Sequence, residues 1–128
     1  MQILAALFID DIELRAVPGP STRIDLTGIQ FSVAAQSPPP ITLMPHLCVI
    51  VHAPSNSTGV GALEAVFYRD GEQIARNVQP LEVEPGKFNY RLIRAELEFL
   101  DYQTIEAHCR IDQGEVTVVP YTLLPPLS

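Results

Sequence analysis

Two small sets of side chains in this chain have the atoms for chemistry. Asp10, Asp11 and Glu13, with Asp25 as a further member, offer carboxylate oxygens of the kind that hold Ca²⁺, an ion that gathers six to eight oxygens from a folded loop. Such a loop spaces its acids as Asp-x-Asp-x-Asp-Gly, and that pattern is absent. The other reading of Asp10 or Asp11 is structural, a carboxylate accepting backbone N–H groups where the chain leaves its first strand. Cys48, His52 and His108 form the second set, with the thiolate and imidazole donors that suit Zn²⁺. Cys48 and His52 are four residues apart on one extended run. That puts them about 13 Å apart along the strand, too far to share an ion with bonds of about 2 Å. At most one of them can join His108. The expectation is no resident metal and no cofactor, with Asp10, Asp11, His52 and His108 as the positions to inspect.

Catalytic spacings are equally sparse. The chain has no Gly-x-Ser-x-Gly elbow, no His-Glu-x-x-His, no phosphate-cradling glycine loop and no Cys-x-x-Cys. A hydrolase would need His46, His52 or His108 beside a nucleophile brought from a distance. The residues therefore point to a protein that is not an enzyme.

Strands must position these groups. Before Asp112-Gln113-Gly114, Ile105, Ala107, Cys109 and Ile111 fall on one face while Thr104, Glu106, His108 and Arg110 fall on the other. That is period two, and a glycine-bearing turn between two such runs predicts a β-hairpin. Ile93, Ala95, Leu97 and Phe99 alternate in the same way with Arg94, Glu96 and Glu98, so a strand is predicted over 89–100 although several of these residues favour helix. Leu47, Val49, Val51 and Ala53 form the inner side of another strand, with Cys48, Ile50 and His52 opposite. Leu63, Ala65 and Phe67 point inward on the next, which ends at the Asp70-Gly71 turn. Gln73–Asn77 is read as a short returning strand, and Leu81 and Val83 as a separate minor edge segment. Ile24 and Leu26 sit on even positions and Ile29, Phe31 and Val33 on odd ones. The change of phase at Gly28 predicts a bulge. The Pro18-Gly19-Pro20 and Pro38-Pro39-Pro40 stretches read as loops. Tyr102, just before a late strand, is either a corner tyrosine bonded to backbone or an ordinary strand residue. The result is one all-β domain over 1–128, an antiparallel two-sheet β-sandwich of the immunoglobulin or fibronectin kind with about seven to nine strands.

Composition narrows the partners. Fifteen acidic against eight basic residues give a formal charge of −7, and Lys87 is the only lysine, so a nucleic-acid backbone is repelled on average. Met1 to Ile9 is apolar but lacks a basic leader, and Asp10-Asp11 interrupts it too early for a membrane span. Neither export nor membrane insertion is expected. Two cysteines are too few for a disulfide framework. Cys109 lies on the inward phase and Cys48 on the outward one, which predicts two free thiols in a cytoplasmic protein.

Four stretches resemble a family of short, uncharacterised bacterial β-sandwich domains: Leu7-Phe8-Ile9-Asp10-Asp11-Ile12, Ile24 to Phe31 with Leu26-Thr27-Gly28-Ile29, Met44-Pro45-His46-Leu47, and Ile105 to Leu123. The likeness spans most of the chain and departs from the pattern at Ser21-Thr22-Arg23, where a glycine-lysine pair is expected. It implies a free-standing sandwich and assigns no activity.

One anomaly remains. Leu4, Ala6 and Phe8 on the first strand, with Ile50, Val66 and Leu92 elsewhere, fall on even positions read as outward, more apolar surface than an isolated sandwich needs. The first strand is apolar on both alternating faces, as in a strand covered on two sides or lying at a subunit contact. The sequence thus favours a non-catalytic interaction or structural module. It acts on a protein partner or as a homo-oligomer, with Leu4, Phe8 and Ile50 at the contact. The alternative is a small-ligand or metal-ion receptor using the loops around 36–46 and 55–61.

Overall fold

A computed structural model describes residues 1–18 and 22–127. Gly19 and Pro20 of the first proline loop, and Ser21, lie outside the described residues. Twelve strands run through the described chain: β1 (Gln2–Ile9), β2 (Asp11–Ala16), β3 (Thr22–Thr27), β4 (Ser32–Ala34), β5 (Ile41–Leu43), β6 (His46–His52), β7 (Val60–Arg69), β8 (Glu72–Glu82), β9 (Phe88–Arg94), β10 (Leu97–Phe99), β11 (Thr104–Ile111) and β12 (Thr117–Leu124). The protein is all-β, as the alternation predicts, with more strands than the seven to nine expected. Most of the extra ones are short, below the length at which a two-residue period can be recognised.

One layer is the three-stranded sheet β1-β6-β9 and the other the five-stranded sheet β4-β12-β11-β7-β8. β5 and β10 pair in the same register as β6 and β9, with Leu43 opposite Leu97 and His46 opposite Arg94. They prolong the smaller sheet across Pro45, whose carbonyl still accepts the Ala95 N–H at 3.1 Å. All sheet pairs are antiparallel except β4 with β12. The two inner faces close on one core. Leu47, Val49, Val51 and Ile93 from the smaller sheet meet Leu63, Phe67, Ile105 and Leu123 from the larger, as two stacked sheets require.

Both predicted turns are present. Asp70 and Gly71 have φ of 52° and 78° and join Arg69 directly to Glu72, the double positive-φ geometry of a tight hairpin. Asp112 has φ of 53° and the Gly114 N–H reaches the Ile111 carbonyl at 2.9 Å. The β8 reading needs correction, because Gln73–Asn77 and the Leu81 segment are one strand that carries Pro80 along a sheet edge, where a missing N–H is tolerated. Tyr102 takes neither suggested role. It is an exposed turn residue whose N–H is held by the Asp101 carboxylate.

At the opposite edge the chain crosses between layers. Gln30 bridges to Phe8 on the smaller sheet, while the Phe31 carbonyl accepts the Thr122 N–H on the larger. A side-chain relay marks the crossing: Tyr121 donates to Gln30 Oε1 at 2.7 Å, and Gln30 Nε2 donates to Asp10 Oδ1 at 2.6 Å. Gly28, at φ 68°, lies against Asp10, and a Cβ there would overlap its carboxylate. β2 and β3 pair with each other and make no comparably broad contact with another strand, so they form a hairpin arm set off from the two layers.

Candidate interaction surface

The outer side of β1-β6-β9 is where the apolar anomaly of the sequence lies. Register places Leu7, Cys48 and Leu92 in one row, Ala5, Ile50 and Tyr90 in the next, then Gln2, His52 and Phe88, with Ile9, His46 and Arg94 at the other end. None of these outward positions is a carboxylate, in a chain with fifteen. Arg94 contacts the Met44 sulfur at 3.9 Å and has no carboxylate partner among the described residues. Leu92 is 36% exposed and Ile50 and Leu7 half-buried.

Three residues expected on one outward face of the first strand do not share it. The register shifts between Ile3 and Ala5, leaving Leu4 as the extra residue of a bulge. A bulge moves every later side chain to the other face. Leu4 is therefore exposed at 56%, whereas Ala6 is buried and Phe8 is 0% exposed in the core, its ring edge-on to Tyr121 at 5.1 Å. Phe8 is a core residue and not a contact residue. Ile50 and Leu92 do lie outward, and Leu7 and Tyr90, which were not singled out, complete the patch. Val66 also lies outward, but on the other sheet, where its neighbours bury it.

The outer side of the larger sheet has a different chemistry. Glu64 accepts from Arg76 Nε and from Arg110 Nε, each at 2.8 Å, and the bond from Arg76, then that from Arg110, holds its carboxyl below the usual range. His108 packs against Tyr68 with ring centres 4.6 Å apart and planes inclined at 57°, and meets Glu106 at 3.2 Å. Glu64 is thus matched across three strands, and His108 is paired within its own.

The positions suited to metals are dispersed. His52 and His108 occupy outward positions on different sheets and so face opposite sides of the sandwich. Asp11 accepts its neighbour Ile12's N–H at 2.8 Å, the backbone role of the structural reading, whereas Asp10 accepts from the Gln30 side chain. Among the described residues no three His, Cys, Asp or Glu side chains converge on one point. His46 and His52 stand about 20 Å apart along β6, and no described hydroxyl or thiol bonds to any of the three histidines.

Both cysteines are free and buried. Desolvation pushes the Cys48 thiol up to about 11 and Cys109 to about 12, so neither is a ready nucleophile at neutral pH. Cys48 is 1% exposed although it points outward, since Leu7 and Leu92 flank it. Burial also raises the Tyr121 phenol, with the charge of Asp10 adding to it. The loops proposed for a ligand do not meet either. Residues 41–43 are β5 and 60–61 open β7; what remains, 36–40, 44–45 and 55–59, is divided by β5 and β6, with residues 40 and 55 about 50 Å of extended chain apart. Among the described residues no helix is long and apolar enough to cross a membrane. No protein-family model matches the chain, and no curated protein matches it.

Proposed function

We propose that this chain is a non-catalytic protein-contact module that self-associates through the outer face of β1, β6 and β9. The observation that carries the reading is the carboxylate-free apolar patch of Leu7, Ile50, Tyr90 and Leu92 on an acidic protein. A sheet face of this kind loses free energy when it is dried against a partner, at about 25 cal/mol per Å² of apolar area. Its lack of negative charge removes the repulsion that a second acidic copy would otherwise meet at the contact. Unpaired thiols accord with a reducing, cytoplasmic setting, and the net charge of −7 with nucleic acid not being the partner. The likeness to uncharacterised bacterial sandwich domains accords with a free-standing module of this sort.

Sedimentation velocity over a wide concentration range tests the reading. We expect a dimer or larger species that Ile50→Glu converts to monomer while the β circular-dichroism spectrum is retained. A wild-type chain that stays monomeric at high concentration sinks it.

A further inference from the structure

The hairpin arm has a second apolar side, half-buried at Ile12, Ile24 and Leu26 and exposed at Leu14. Register places Ile12 opposite Leu26 and Leu14 opposite Ile24, so these four side chains share one face, while Asp11, Glu13, Arg15 and Asp25 share the other. Arg15 and Asp25 are tied by a forked ion pair at 2.6 to 3.0 Å, which stiffens the ribbon on its polar side. Leu14 is 63% exposed, so no element of its own chain covers that part of the apolar side. A two-stranded ribbon alone is marginally stable in water, and an apolar side left wet makes it more so.

We infer that the face of β1, β6 and β9 is occupied by the β2–β3 arm of a second copy of this chain, with Ile12, Leu14, Ile24 and Leu26 laid across Leu7, Ile50 and Leu92. The inference rests on the self-association proposed above and names the occupant. Dimensions support it: six paired residues make an arm about 20 Å long, against about 23 Å for the seven residues of β6. Charge does not oppose it, because Asp11, Glu13 and Asp25 project from the side of the arm away from the contact and the outward positions of the face carry no carboxylate. One two-fold operator covers both apolar surfaces of both copies, because each supplies an arm and a face.

The test combines sedimentation with cross-linking on the full chain. Leu14→Glu should weaken the dimer about tenfold or more and, at so exposed a position, leave the fold intact; Ile50→Glu should do the same. A Leu14→Cys chain mixed with an Ile50→Cys chain and mildly oxidised should give a disulfide-linked dimer whose peptide map joins position 14 to position 50, with Cys48 and Cys109 buried and silent. If the wild type is monomeric, the proposed function and this inference fall together. If it is a dimer that Ile50→Glu dissociates and Leu14→Glu does not, with no link between positions 14 and 50, the arm is not the occupant and the self-association reading stands. A dimer indifferent to both substitutions overturns both.

Discussion

The two outer faces of this sandwich obey the same alternation and end differently. On the larger sheet the outward charges find partners: Glu64 across strands between Arg76 and Arg110, and His108 beside Tyr68 of the next strand and Glu106 of its own. That face ties its charges internally and buries Val66 among its neighbours, while Val78 and Val118, about half exposed, stand on separate strands β8 and β12. On the smaller sheet the two middle outward rows, Leu7 with Cys48 and Leu92 and Ala5 with Ile50 and Tyr90, are apolar, and Arg94 at one end is unpaired by carboxylate among the described residues. Period two says which side chains leave the core. Whether they form a finished surface or an unfinished one depends on what stands beside them in register.

The sharpest way to break this comparison is to show that the apolar face has been drawn with the wrong boundary. Phe8→Ala should cost about 3–5 kcal/mol in urea unfolding, because the ring is fully buried against Tyr121. Leu4→Ala, at the bulge, should stay within about 0.5 kcal/mol. Equal effects at the two positions would mean that the phase of the first strand does not change at Leu4.

The corner joining the sheets comes next. Gly28→Ala places a Cβ into the Asp10 carboxylate at a positive φ, and should cost about 1–2 kcal/mol. It should also break the relay to Tyr121, which the same unfolding measurement on Gly28→Ala, Gln30→Ala and the double variant would register as non-additivity.

On the matched face the expected signature is pH dependence. Glu64 titrates below its unfolded value, so its two arginine bonds contribute stability above the unfolded carboxylate range. That contribution is lost as pH falls through the lowered folded value. Glu64→Gln should therefore show a shallower loss of stability on acidification than the wild type, and parallel acid limbs would contradict the matched-charge account.

The smallest effect concerns the thiols. Neither should react with a thiol reagent in the native state at neutral pH. Leu92→Ala should open Cys48 on the apolar face to slow labelling and leave Cys109, in the core between the sheets, unchanged. Labelling of Cys109 first would reverse the assignment of faces.

Much of this architecture was legible in the residue order, for local reasons. The Ile105–Ile111 hairpin and the Asp70-Gly71 turn follow from positive-φ residues set between alternating runs. Ile93, Ala95, Leu97 and Phe99 are all buried, as their spacing requires. The β2–β3 arm was hidden behind its acids, because Asp11 and Glu13 invite a ligand reading while Ile12 and Leu14 alternate between them. Tyr121 carries no local mark to set it apart from Tyr102, since its hydroxyl meets Gln30, ninety-one residues away in sequence.

By itself the sequence determined that this is a two-layer β protein, which residues of most long strands face the core, and where two of the hairpins turn. These follow from steric preferences of neighbouring residues. Tertiary structure alone decided that Phe8 lies inside, that His52 and His108 face opposite sides, and that Ile50 and Leu92 meet in one patch with Leu7. Each depends on which strand pairs with which and in what register, and a one-residue slip against a distant partner turns a surface side chain into a core one.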